Sequence, residues 1–143
     1  MMPSSINGLW GPGMADQTRK KILVVDDAGL VRRYYREILE SAGYAVDEAL
    51  NGMEAMERLL QQSADLLIVD INMPQMDGLS FLRQLRRKPG APGAIPAMVA
   101  STEAGDDDRS AALAAGANFY LVKPLSREVL LEHAGLMCGQ RHG

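Results

Sequence analysis

The chain has 143 residues, a formal net charge of -3 and a 47% hydrophobic composition, which fits one domain with a substantial core and argues against general nucleic-acid binding. Its one cysteine, Cys138, excludes an internal disulfide, and no Cys/His spacing of the zinc type occurs. No apolar run approaches the roughly 20 residues of a membrane span, and the N-terminus lacks the charged and apolar regions of a secretory signal, so a cytoplasmic protein without membrane insertion is expected.

Residues 1–18 read as a tail. Met1-Met2-Pro3-Ser4-Ser5 and Gly11-Pro12-Gly13 offer turn-formers and little to bury, and Trp10 is the one side chain suited to docking on a domain. Met14-Ala15-Asp16 looks like a second start. Residues 19–138 read as one domain and 139–143 as a short C-terminal tail.

The first strand signal is Lys21-Ile22-Leu23-Val24-Val25, which runs into Asp26-Asp27. Val31, Tyr35, Ile38 and Ala42 then recur at helical spacing, and Gly43 ends that helix. Tyr44 to Ala49 is a second strand. Asn51-Gly52 opens a helix whose inward side is expected at Met56, Leu59 and Leu60. Leu66-Leu67-Ile68-Val69-Asp70 is the third strand, and Asn72 to Asp77 a loop. Gly78 to Arg87 is a helix that turns Leu79, Leu82 and Leu85 inward. Lys88 to Pro96 is a loop punctuated by Gly and Pro, and Ala97 to Ser101 is the fourth strand. Asp106-Asp107-Asp108 open an alanine-rich helix, where acids complement the positive end of the helix dipole, and Gly116 stops it. Asn118 to Val122 is the fifth strand. Pro124 breaks it, and Ser126 caps a last helix to about Cys138, which is read as a small apolar residue there.

Strict alternation of five strands and five helices implies an α/β fold, with a parallel sheet covered by helices on both faces. The first and third strands are continuous in branched apolar residues, as buried parallel strands are. A flavodoxin-like, doubly wound order 2-1-3-4-5 puts the topological switch point between these two strands. Ligands bind beyond the carboxyl ends of strands at that point, and both strands end in aspartate there. Carboxylates gathered so closely raise each other's pKa unless a cation lies among them, and oxygen-only donors suit Mg2+ before Zn2+.

Four stretches stand in order at the ends of predicted strands: Val24-Val25-Asp26-Asp27, Val69-Asp70-Ile71-Asn72-Met73-Pro74-Gln75-Met76-Asp77-Gly78, Val99-Ala100-Ser101 and Val122-Lys123-Pro124. In this arrangement the chain resembles the receiver domain of bacterial two-component response regulators, most of all the single-domain chemotaxis type, over about Lys20 to Cys138. The resemblance implies that Asp70 accepts a phosphoryl group from the phosphohistidine of a sensor histidine kinase. It implies that Asp27 binds Mg2+ directly, Asp26 mainly through water, and Asn72 through its backbone carbonyl, with Asp70 completing the metal site. Ser101 and Lys123 are implied to contact the phosphoryl oxygens, Tyr120 to be a rotamer switch coupled to Ser101, and Asn72 and Glu103 to tune the lifetime of the adduct. A cis peptide at Lys123-Pro124 is also implied.

The chemistry stands without the name. A carboxylate nucleophile needs no proton removed, and its difficulty is meeting a phosphoryl group rich in negative charge. A metal ion and Lys123 offset that charge, so catalysis is positioning plus electrostatics.

Each feature has a plainer reading. Asp26-Asp27 alone would be a helix-capping pair, and Thr102 rivals Ser101. Arg32, Arg33 and Arg36 read as a solvated helix face, Arg83, Arg86, Arg87 and Lys88 as a basic helix end, and His133 as an exposed helix residue. Met53, Met56, Met73, Met76, Met98 and Met137 read as core or loop fillers. A metal-dependent phosphatase wants Asp-x-Asp at the first strand, where this chain has Asp26-Asp27-Ala28, and no phosphate-binding Gly-x-x-x-x-Gly-Lys-[Ser/Thr] loop exists. The expected function is a stand-alone, monomeric response regulator, a signalling protein rather than an enzyme. Its output would be the helix four, strand five and helix five surface offered to a partner protein, flagellar motor control being the first guess. A phosphorelay intermediate, a phosphate sink and a phosphorylation-independent pseudo-receiver are the alternatives.

Overall fold

A computed structural model describes residues 19–138; the two expected tails, with Trp10 and Met14, lie outside the described residues. Five parallel strands, β1 (Lys21–Val25), β2 (Ala45–Ala49), β3 (Leu66–Asp70), β4 (Ala97–Ser101) and β5 (Phe119–Val122), form one sheet in the order β2-β1-β3-β4-β5. The helices are α1 (Gly29–Ser41), α2 (Gly52–Gln61), α3 (Gly78–Arg86), α4 (Asp106–Ala115) and α5 (Arg127–Cys138). A short 3-10 turn, Ala91–Ala94, lies in the loop before β4. This is the flavodoxin-like architecture expected.

Apart from Lys21, Asp70 and Ser101 at their ends, the central strands are apolar because both their faces are covered. Along each strand alternate residues serve opposite cores. Leu23, Val25, Leu67, Val69 and Val99 meet Phe81, Leu82 and Leu85 of α3, with Ala55 of α2 and Ala112 of α4. Ile22, Val24, Ile68 and Met98 meet Tyr35 and Leu39 of α1 and Leu130 and Ala134 of α5. At the edge β5 burial is only partial: Tyr120 is buried and Leu121 half-buried, while Phe119 and Val122 are exposed.

Helix starts follow the sequence closely. The Asn51 side chain accepts the Glu54 N–H at 2.9 Å, while the Glu54 carboxylate accepts the Leu50 N–H at 2.7 Å. Asp77 accepts the Ser80 N–H at 2.9 Å, and Ser126 Oγ the Val129 N–H at 3.1 Å. Gly116 ends α4 in the left-handed region, at φ 115°.

Three expectations are corrected. Leu60 is 77% exposed, because the inward stripe of α2 runs through Gly52, Ala55, Met56 and Leu59, and position 60 lies one 100° step past it. His133 is half-buried, edge-on to Phe119 with ring centroids 5.1 Å apart. Arg32 and Arg36 are not simply solvated: both form ion pairs with Glu48 on β2.

Candidate functional site

The sheet brings its acids together at the carboxyl ends of the strands. Asp26 follows β1 and is 2% exposed; Asp27 beside it is exposed; Asp70 closes β3 and is half-buried. One carboxylate oxygen from each lies within 4.8 Å of the others. The β1–α1 turn is fixed from three sides. The Asp26 N–H donates to the Ala49 carbonyl at 3.0 Å, Asp26 Oδ1 accepts the Ala28 N–H at 2.9 Å, and the Asp26 carbonyl accepts Arg32 Nη1 at 2.7 Å. Asp26 therefore caps its own turn and does not cap α1, which begins after Ala28 with no side-chain cap.

Lys123 enters from the loop after β5. Its Nζ donates to Asp26 Oδ2 at 2.8 Å and to Asp70 Oδ1 at 3.2 Å. The Lys123 N–H donates to the Ser101 carbonyl at 2.7 Å, and the Lys123-Pro124 peptide is cis, as expected. Ser101 is buried at the end of β4, where Asp70 on β3 pairs with the preceding residue, Ala100, while the rival Thr102 is exposed. Ser101 Oγ accepts the Glu103 N–H at 3.1 Å. Asn72 and Glu103 are both exposed on loops at this end of the sheet. Tyr120 is 4% exposed, with its hydroxyl donating to the Glu103 carbonyl at 2.5 Å.

The loop after β3 returns tightly on itself. The Gly78 N–H donates to the Ile71 carbonyl at 2.9 Å, and a Cβ on Gly78 would fall 2.1 Å from the Asp70 carbonyl oxygen. Glycine is required here by close approach, which accounts physically for the Asp77-Gly78 pair.

Three carboxylates and one ammonium leave the crevice with an excess of negative charge. Burial, then Asp26 and Asp27, push the Asp70 carboxyl above its ordinary value, although Lys123 pulls the other way. Burial disfavours the Lys123 ammonium, but Asp26 and Asp70 outweigh it and hold the amine above its ordinary value. The same ion pair thus raises Lys123 without lowering Asp70, because at Asp70 burial and two like charges outweigh it. Such a set of hard oxygen donors fits a divalent cation such as Mg2+, with Asp26, Asp27 and Asp70 as the residues that would hold it.

Arg32, which sequence reasoning assigned to solvent, helps position this site. Its Nε pairs with Glu48 at 2.8 Å while Nη1 reaches the Asp26 carbonyl. No spacing rule marks an arginine whose partner is a main-chain oxygen.

The family model of the response regulator receiver domain matches residues 22–135. The chain is 41% identical over 124 residues to the transcriptional regulatory protein ResD of Bacillus subtilis (strain 168), covering 85% of this chain and 50% of that protein. It is 40% identical over 111 residues to the response regulator MprA of Mycobacterium tuberculosis (strain ATCC 25618 / H37Rv), covering 78% of this chain and 47% of that protein. The chain thus spans about half the length of these curated relatives. Among solved structures, the chemotaxis response regulator CheY4 of Vibrio cholerae matches with a TM-score of 0.78 and 32% identity, over 84% of this chain and 99% of that one. The Francisella response regulator 1452 receiver domain matches with a TM-score of 0.79 and 26% identity, over 85% and 98%. The chain belongs to the response regulator receiver family, a family of two-component signalling proteins.

Proposed function

From that membership we propose that Asp70 accepts a phosphoryl group from the phosphohistidine of a sensor histidine kinase, with Mg2+, and that the adduct switches the surface formed by α4, β5 and α5. The observation that carries this reading is Lys123 bridging Asp26 and Asp70 at 2.8 and 3.2 Å, beside the three-carboxylate cluster. A carboxylate oxygen of Asp70 attacks phosphorus; the P–N bond of the phosphohistidine breaks, and its electron pair leaves with the imidazole. Asp70 keeps its attacking oxygen near Lys123, whose ammonium offsets the charge gathering on the phosphoryl oxygens. A bound Mg2+ would supply further charge neutralisation, held by Asp26, Asp27 and Asp70, with Asn72 adding its main-chain carbonyl. Ser101 closes on the product from β4, Tyr120 relays its position, and Asn72 and Glu103 border the adduct and set its lifetime.

Output goes to a partner protein in the cytoplasm. The likeness to the chemotaxis response regulator CheY4 suits a stand-alone, monomeric regulator acting in flagellar motor control or another signalling process. A second reading has its own support: half of ResD, a transcriptional regulatory protein, is matched at 41% identity, which suits the receiver half of a longer regulator.

Incubation of the protein with a small phosphodonor and Mg2+ tests the central step. The expected product is a hydroxylamine-labile acyl phosphate, absent in Asp70→Asn and suppressed by chelator. Equal labelling of Asp70→Asn, or labelling indifferent to chelator, sinks the assignment. Immunoblotting the native protein for its size separates the two output readings.

A further inference from the structure

Tyr120 stands in a run of contacts that reaches from the acceptor crevice to the surface of α4, and its outermost member is Arg109. Ser101 Oγ holds the Glu103 N–H at 3.1 Å, and the Glu103 carbonyl holds the Tyr120 hydroxyl at 2.5 Å. Over the buried ring lies the Arg109 guanidinium, its carbon 5.3 Å from the ring centroid. Arg109 Nη1 also donates to the Tyr120 carbonyl at 3.3 Å. Arg109 lies in the first turns of α4, directly after Asp106-Asp107-Asp108. Its contacts nevertheless go to the ring and main chain of the edge strand β5.

A Tyr120 ring that turns outward loses two things at once: the Glu103 carbonyl for its hydroxyl, and the guanidinium over its face. We propose that Arg109 is a positioning residue of the switch, which clamps Tyr120 inward and ties the start of α4 to β5. It thereby raises the share of molecules in the inward arrangement whether or not Asp70 carries a phosphoryl group. The inference rests on the receiver reading and assigns the resting bias of the switch to one side chain of this chain. A cation over an aromatic face at a partly exposed position shifts a two-state balance by roughly two- to fivefold. The coupling is reciprocal, so a ligand at Asp70 that favours the inward ring binds more tightly when the clamp is present, by at most that factor.

The test uses the full chain as wild type, Arg109→Ala and Arg109→Lys, each with 13C-labelled tyrosine rings. Ring resonances of Tyr120 are followed by NMR in Mg2+ while beryllium fluoride, standing in for the phosphoryl group, is titrated. Arg109→Ala is expected to move the Tyr120 resonances away from their inward positions and to weaken beryllium fluoride binding two- to fivefold. Arg109→Lys, which keeps a cation over the ring, is expected to recover most of both. An exposed helix residue with no part in the switch would change neither quantity, and that result overturns the proposal. A wild type that binds no beryllium fluoride would refute the receiver reading instead. The clamp would then still be judged by the ring resonances alone, which must move in Arg109→Ala.

Discussion

Replacing Asp70 by Asn should make the protein more stable, although it removes the residue on which the proposed chemistry depends. Two like charges, Asp26 and Asp27, have carboxylate oxygens within 4.8 Å of an Asp70 oxygen, and one opposite charge, Lys123, stands at 3.2 Å. By Coulomb's law each repulsion at that distance is about 0.9 kcal/mol in water and about 3.5 kcal/mol at an effective dielectric of about 20. On the same basis the attraction to Lys123 is about 1.3 to 5 kcal/mol, so the balance is repulsive by about 0.4 to 1.7 kcal/mol. Asp27 is exposed and its share is screened by solvent, which favours the lower half of that range. The burial cost of the Asp70 charge adds to it. Asn keeps an acceptor for Lys123, which also retains Asp26. The net expectation is a gain of about 1 kcal/mol, or roughly 3–6 °C in melting temperature for a domain of this size. Urea and thermal unfolding in chelator at pH 7.5 measure it. The pH dependence supplies the sign. Because the folded pKa of Asp70 is raised, the wild type has its full stability below the unfolded carboxyl value of about 3.9 and loses it as pH rises through the folded value. The gap between variant and wild type should therefore be smallest below the unfolded carboxyl value of about 3.9 and open as pH rises through the folded value. Saturating Mg2+ should stabilise the wild type more than the variant, which lacks one charged ligand, and so close the gap. A variant no more stable than wild type at pH 7.5 in chelator, or a gap independent of pH, would refute the account.

Lys123→Ala leaves Asp26 and Asp70 facing each other without their shared ammonium, so it should destabilise the chelated protein by about 1–3 kcal/mol. The same variant should bind Mg2+ more tightly in calorimetry, since the crevice gains negative charge, yet accept a phosphoryl group far more slowly. Gly78→Ala puts a Cβ 2.1 Å from the Asp70 carbonyl oxygen, and the loop must open to take it. Unfolding in urea should show a loss of about 2 kcal/mol or more, as expected for a steric clash with backbone. Phosphorylation of Asp70 should fall as well.

What was legible in the sequence follows from where its information lies. Asp26, Asp70, Ser101 and Lys123 each close or follow a short apolar run, and a parallel sheet turns that one-dimensional pattern into a cluster, because all its strands end on the same side. The order of strands came from strict alternation and handedness, and the helix starts from signals such as Asn51-Gly52 and Ser126; the cap that Asp77 gives α3 was read only as the end of a loop. The phase of α2 was misread at Leu60 because a helix advances about 100° per residue, and one apolar residue beyond the stripe looks like a member of it. The arginines were misread for a different reason. Arg32 reaches the Asp26 carbonyl and Arg86 the Gly93, Ile95 and Gly116 carbonyls; Arg109, on which the sequence prompted no reading, reaches the Tyr120 carbonyl. A main-chain oxygen is offered by every residue alike, so its use by a guanidinium leaves no mark on composition or spacing. Arg86 shows the consequence most clearly. Half-buried, it forms hydrogen bonds to the main chain of the 3-10 turn, the loop before β4 and the end of α4, and burial lowers its pKa. The loop before β4 and the end of α4, separate in sequence, thus share one cation that reads, letter by letter, as an ordinary basic helix end. The acids of the proposed chemistry were visible because they stand at the ends of apolar runs; Arg32 and Arg36 pair with the Glu48 side chain as well, but their bonds to main-chain oxygens left no mark in the sequence.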